Sequence, residues 1–198
     1  WPYEGLKARD KSLASMTEVI RAGKFGLVRE ADGVFLFQAG RDPSGNEAAI
    51  ARMLSTRYEA EKLPSDFTDS IVADPQASGE MVRAATPENR ADGKTGLVYG
   101  PYTDLQPGNY RATFVIKASG VAIDARVLTI DVFTHKDGYP RAMRELFGRD
   151  FNGSTDYATF TLGFNTSGQP LEDVEFRALV DTAGDVFVDR IDLEYVGR

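Results

Sequence analysis

The chain has 198 residues, 30 acidic against 23 basic side chains for a formal net charge of −7, no cysteine and one histidine. Lacking cysteine, it can form no disulfide, no thiolate nucleophile and no cysteine-ligated zinc site, and a lone His135 excludes a multi-histidine metal centre. The outnumbered and unclustered lysines and arginines exclude the phosphate-neutralising surface that nucleic acid requires.

The length suits one main domain with a small lead-in, at about 100–200 residues per domain. No apolar run approaches the roughly 20 residues that cross a bilayer, and no secretory signal is present. With a start at Trp1-Pro2-Tyr3 and no initiator methionine, the expectation is a soluble piece of a longer protein.

In chain order, Ser12–Ala22 is predicted helical. Leu13, Met16 and Ile20 share one face, Ser15 and Glu18 have capping-box spacing, and Gly23 supplies the stop. Phe25–Glu30 and Val34–Ala39 flank Asp32-Gly33, the pair that favours a type I′ hairpin turn. This helix and hairpin cannot bury their own apolar face and must dock on a neighbour. Ser44–Lys62 is predicted as a linker helix, with Ser44 and Glu47 at capping-box spacing, Ile50, Met53, Leu54 and Tyr58 at helical intervals, and Pro64 ending it.

From Ile71 onward the signals are strands: Met81–Ala85, Leu97–Tyr99, Tyr110–Lys117, Val127–Phe133, Glu145–Gly148, Tyr157–Phe164, Val174–Val180 and Val186–Leu193. Short alternating strands separated by Gly, Pro, Asn and Asp predict a mainly β chain built on an antiparallel jelly-roll sandwich. Tyr110, Ala112, Phe114 and Ile116 should face inward, as should Leu128, Ile130 and Val132, Phe160, Leu162 and Phe164, and Val174, Phe176, Ala178 and Val180. Between the second and third of these strands, Gly100–Gly108 is expected to be a stiff connection, because Pro101 and Pro107 pre-set φ and Gly100 and Gly108 tolerate unusual backbone. The predicted organisation is a small α/β unit over 1–43, a linker helix and loop over 44–70, and the sandwich over 71–198.

Two stretches carry a family resemblance. YGPYTDLQPGNYRATF, Tyr99–Phe114, resembles the "GPY, few residues, L-x-PG-x-Y-x-A-x-F" signature of galactose-binding-like β-sandwich modules, many of which belong to proteins that make or handle cell-surface glycans. The last strand, DVFVDRIDLE over Asp185–Glu194, resembles their closing strand. The order WPY, helix, AGKFGLVREADGVFLFQAGRD over Trp1–Asp42 is similar to the end of the soluble region in an uncharacterised family of polytopic membrane proteins related to lipid-sugar-dependent glycosyltransferases. Together the resemblances imply a carbohydrate or polysaccharide partner and an extracytoplasmic, periplasmic or cell-surface, location. They also imply membrane attachment only through a transmembrane portion outside this chain. They carry over no catalytic residue.

The longest predicted loop, Thr134–Arg144, gathers His135, Asp137, Tyr139, Arg141 and Arg144. Sugars are held by aromatic rings against their C–H faces and by planar polar groups on their hydroxyls. Tyr139 is therefore the expected platform, with His135, Asp137 and Arg141 as hydroxyl partners and Tyr102 as a further ring. The alternative surface is a sheet face carrying Arg111, Thr113, Asp131, Thr159 or Arg177. Asp150, Asn152 and Asp156 offer oxygen ligands at near-alternate spacing, which suits a structural calcium. Asp189, placed by alternation with Phe187, Ile191 and Leu193, needs either a hydrogen-bonding partner or a cation shared with Glu80 or another early carboxylate. No cofactor is otherwise expected. Asn152-Gly153-Ser154 and Asn165-Thr166-Ser167 are glycosylation sequons of consequence only in a secretory pathway.

No nucleophile elbow accompanies His135, so a Ser-His-Asp triad is not supported. The expected role is a non-catalytic, carbohydrate-binding or glycan-positioning domain. The alternatives are a structural or protein-interaction module without sugar binding, and a carboxylate-dependent glycan hydrolase or lyase, whose paired acids must sit about 5–10 Å apart.

Overall fold

The computed structural model describes residues 2–90, 93–151, 153–181 and 184–198, with side chains in the first helix described from residue 8 onward. The elements in order are α1 (Pro2–Arg21), β1 (Phe25–Ala31), β2 (Val34–Ala39), α2 (Asn46–Leu54), β3 (Thr56–Glu59), β4 (Ile71–Ala73), β5 (Met81–Ala85), β6 (Gly96–Val98), β7 (Pro101–Leu105), β8 (Asn109–Ser119), β9 (Arg126–Thr134), β10 (Pro140–Phe147), β11 (Ala158–Asn165), β12 (Leu171–Val180) and β13 (Asp185–Gly197).

Among the described residues the strands form one hairpin, a five-stranded sheet and a six-stranded sheet. The five-stranded sheet runs β10-β9-β12-β6, with β7 also on β12; the six-stranded sheet runs β11-β8-β13-β5-β4, with β3 also on β13. Every pairing is antiparallel. The predicted mainly β, antiparallel sandwich is the fold. Phe114 and Ile116 of β8 and Ile191 of β13 line one inner face, Leu128 and Ile130 of β9 and Phe176 of β12 the other, all fully buried. Alternation dictates this, because one face of each strand must leave water while the other stays wet.

The lead-in docks on the sandwich through polar pins. Asp10, buried on α1, accepts hydrogen bonds from the Thr103 hydroxyl and the Asp104 amide, both 2.9 Å. Arg21 at the other end of α1 donates to the Tyr195 hydroxyl at 2.8 Å. Asn46 ties the two halves of the lead-in together by donating to the Ile20 and Phe25 carbonyls.

The hairpin forms as predicted: Asp32 and Gly33 both have positive φ, 50° and 74°, as a type I′ turn demands. Both capping boxes fail. Helix α1 starts at Pro2, so Ser15 lies in its interior and its hydroxyl bonds back to the Lys11 carbonyl. Ser44 is engaged by Asp42 through its amide and hydroxyl, leaving Gly45 as the N-cap of α2.

The linker helix is shorter than predicted. It ends at Leu54, and Thr56–Glu59 pairs with β13 as a strand, half-burying Tyr58 against Phe176 at 5.8 Å between ring centroids. The helical spacing of Tyr58 was coincidental, and the open edge of β13 outweighed it. Gly100–Gly108 contains a strand, β7, in place of a connection.

Gly108 is needed for space. A Cβ there would lie 2.2 Å from the Tyr195 ring and 2.9 Å from the Gly197 carbonyl oxygen. Gly108→Ala should therefore cost about 1–3 kcal/mol as overpacking, read as a lower urea midpoint with an unchanged slope.

In β13 the predicted alternation slips. The register shifts between Val188 and Arg190, so Asp189 is the extra residue of a β-bulge. Upstream of it Val186 and Val188 face the core with Ile191, Leu193 and Tyr195. Phe187 therefore faces away from the core, where the Lys117 ammonium sits 4.9 Å from its ring centre.

Candidate functional site

The predicted loop Thr134–Arg144 is a hairpin with a short turn. β9 runs to Thr134 and β10 begins at Pro140, which leaves only His135–Tyr139 between them. The strand predicted over Glu145–Gly148 starts earlier, at Pro140, because the polar stretch before it pairs with β9. Gly138, at φ 72°, completes the turn, and its amide donates to the Thr134 carbonyl at 3.2 Å.

Asp137 is committed inside this turn. It accepts from the Thr134 hydroxyl at 2.5 Å and from Arg141 at 2.8 and 2.6 Å. The Thr134 hydroxyl, with Arg141 beside it, holds the carboxyl below the usual carboxylate range. Tyr139 projects at the tip, 57% exposed, with the Arg141 guanidinium 5.9 Å from its ring centre.

His135 leaves the turn and lies over the outer face of the five-stranded sheet. Its Nε2 is 2.6 Å from the Glu175 carboxylate. Its ring is nearly parallel to Tyr102, 6.3 Å between centroids and 14° between planes, and meets Phe133 edge-on at 5.4 Å. The imidazole side chain is 66% exposed, whereas Glu175 beneath it is 5% exposed. Burial, only partly offset by His135 and Arg177, pushes the Glu175 carboxyl above its ordinary range.

β7 brings Tyr102 to this place with φ at 65°, a left-handed conformation rare for a bulky side chain. β12 presents Glu175 and Arg177 outward because Val174, Phe176 and Ala178 face the core. Directly across from them on β9 stand Phe133 and Asp131. Arg177 grips Asp131 through two hydrogen bonds of 2.8 and 2.6 Å, and its guanidinium covers Phe133 at 3.8 Å from the ring centre. The hydrogen bonds to Asp131 raise the guanidinium further above its ordinary value.

The structure thus joins four of the five predicted ligand residues in two separate pairs, Asp137 with Arg141 in the turn and His135 with Tyr102 over the outer sheet face, and leaves Tyr139 exposed. Asp131 and Arg177 join them from the alternative surface. Arg111 and Thr113 lie on β8 in the other sheet, where they are used by Glu194 and Thr161, and Thr159 is on β11. Glu175 and Phe133 were not predicted as site residues. Their outward phase was legible, but only the hairpin brings His135 back over them.

Of the candidate calcium ligands, one carboxylate is engaged by a backbone amide. Asp150 accepts from the Phe147 amide at 2.8 Å and from Arg144 at 3.1 Å, and Asp156 is exposed with its amide on the Ser154 hydroxyl. Asn152 lies outside the described residues. Asp189 takes the structural course, accepting from the amide and hydroxyl of Ser78 at 2.9 Å and pairing with Arg190, while Glu80 is exposed. Among the described residues no group of three or more His, Asp or Glu side chains is placed to hold a metal ion.

No protein-family model and no curated protein matches the chain. Among solved structures, the chain is similar to the C-terminal CBM6 of LamC, a marine laminarinase from Zobellia galactanivorans, at 12% identity over 71% of this chain and 98% of that one, with a TM-score of 0.45. It is also similar to a carbohydrate-binding module of Cellvibrio mixtus lichenase 5A in complex with cellotriose, at 10% identity over 71% and 97%, TM-score 0.45. A third is the CBM22-1-GH10 portion of Clostridium thermocellum xylanase 10B with xylohexaose, at 12% identity over 73% of this chain and 26% of that one, TM-score 0.45. Likeness this distant carries no argument about a ligand, which rests on the geometry of the hairpin and sheet face.

Proposed function

We propose that the chain is a non-catalytic carbohydrate-binding or glycan-positioning module, extracytoplasmic, and tethered through the rest of its polypeptide to a membrane-bound glycosyltransferase-like protein. The observation that carries the sugar-binding part is the surface at the β9–β10 hairpin. The turn bears an exposed Tyr139, and the outer sheet face beneath the hairpin bears the Tyr102–His135 pair, with Arg177 and Asp131 held in orientation by their ion pair and Arg141 by Asp137. A pyranose offers apolar C–H faces to rings and hydroxyls to planar polar groups, and groups held in place lose little entropy on binding. The tether and location are supported by the resemblance of Trp1–Asp42 to the membrane-protein family.

Glycan-array screening followed by titration calorimetry tests the first part. In a variant that keeps its melting temperature, Tyr139→Ala should weaken sugar binding by about 1–3 kcal/mol, the order of one important aromatic contact. Unchanged affinity would remove the hairpin from the site, and no sugar binding by the parent chain would end the proposal.

A further inference from the structure

The charges around His135 do not balance in kind. The neighbouring carboxylates have permanent cations: Asp131 on the same sheet face has Arg177 in a two-point contact, and Asp137 in the turn has Arg141. Among the described residues Glu175 has only the imidazole of His135 as a direct ion-pair partner, a group that is charged only when protonated. Arg177 is close enough to be felt electrostatically but spends its hydrogen bonds on Asp131. A carboxylate this deeply buried gains more from a well-placed cation than an exposed one does.

Its cover is itself exposed. Glu175 is 5% exposed and the His135 side chain 2.6 Å from it is 66% exposed, at the start of a turn, so a ligand that takes the place of the imidazole has one exposed side chain to displace. The space uncovered is bounded by Tyr102 and Phe133, the rings that His135 now meets. Aromatic faces and edges beside a carboxylate suit an ammonium, which is attracted by ring quadrupoles as well as by the charge. The chain's net charge of −7 draws cationic ligands in the same direction.

We infer that the glycan recognised at this surface carries a free, protonated amine, as in a deacetylated amino sugar, and that the ammonium takes the place of the His135 imidazole on Glu175. This rests on the sugar-binding proposal and narrows it to a substrate class. An N-acetylated sugar would bring a neutral amide to the same carboxylate, gaining no charge pairing and leaving Glu175 without a cation. Discrimination of this kind comes from the buried group left unpaired by the wrong ligand.

The test compares a β-1,4-linked glucosamine tetrasaccharide with its N-acetylated counterpart and with a neutral glucose tetrasaccharide, by calorimetry at a mildly acidic pH that keeps the amine charged. The amine-bearing ligand should bind about tenfold or more tightly than either, with an affinity that falls as salt is raised. Glu175→Gln, which keeps shape and removes the charge, should abolish that preference. Equal binding of the three ligands, or binding of the neutral ones alone, overturns the amine and leaves the sugar-binding proposal standing. A preference that survives Glu175→Gln in a folded variant also overturns it, because the ammonium would then sit elsewhere. Binding of no glycan, on the array or in these titrations, removes both.

Discussion

Phe114→Ala should cost about 3–5 kcal/mol of folding stability. Phe114 is fully buried at the middle of β8, paired across to Phe160 of β11 on one side and Ile191 of β13 on the other. It lies where the six-stranded sheet meets the other sheet, held by two flanking strands that limit collapse into the vacated space. Truncation thus loses both the transfer of the ring from water and the contacts around the cavity. Against a typical reserve of about 5–15 kcal/mol, that loss brings the domain close to unfolding. Urea denaturation should show the fall at constant slope; a cost under about 1 kcal/mol would mean that Phe114 is not at the centre of the core.

Arg177→Met should be nearly as damaging, at about 3–5 kcal/mol, for an electrostatic reason. The Asp131 side chain is 3% exposed and has Arg177 as its charged partner at 2.6 Å. Removing the guanidinium leaves a desolvated carboxylate facing Phe133 and Glu175. The double variant Arg177→Met, Asp131→Leu should recover most of the loss, since it removes the stranded charge together with its partner. Denaturation of the two variants side by side decides the matter. A double variant no more stable than the single would show that the guanidinium acts by covering Phe133.

Parts of this molecule were legible because one residue type meets one physical demand. Asp32-Gly33 declares its turn since both residues must take positive φ, and β8, β9, β11 and β12 declare themselves through clean alternation around large apolar side chains. What was illegible depended on partners distant in sequence. Nothing in Thr56–Glu59 separates a strand from a fourth helical turn until the edge of β13 is available to pair with it. The slip at Asp189 follows from Ser78 and Arg190 satisfying a buried carboxylate, which allows an extra residue to leave the ladder. The same holds for the site. His135, Tyr139, Asp137, Arg141 and Tyr102 were candidates by residue type, while Glu175 became one only when the hairpin folded His135 over it.

The buried contact of Asp10 with Thr103 and Asp104 links α1 to the candidate site. The two residues that Asp10 grips follow directly after Tyr102 on β7, so the helix is fastened to the strand that carries one wall of the candidate site. β7 is in turn paired with β12, the strand that bears Glu175 and Arg177. Asp10→Ala, which releases that fastening, is therefore expected to be felt at Tyr102 before any other part of the candidate site, because only one strand of backbone separates the two.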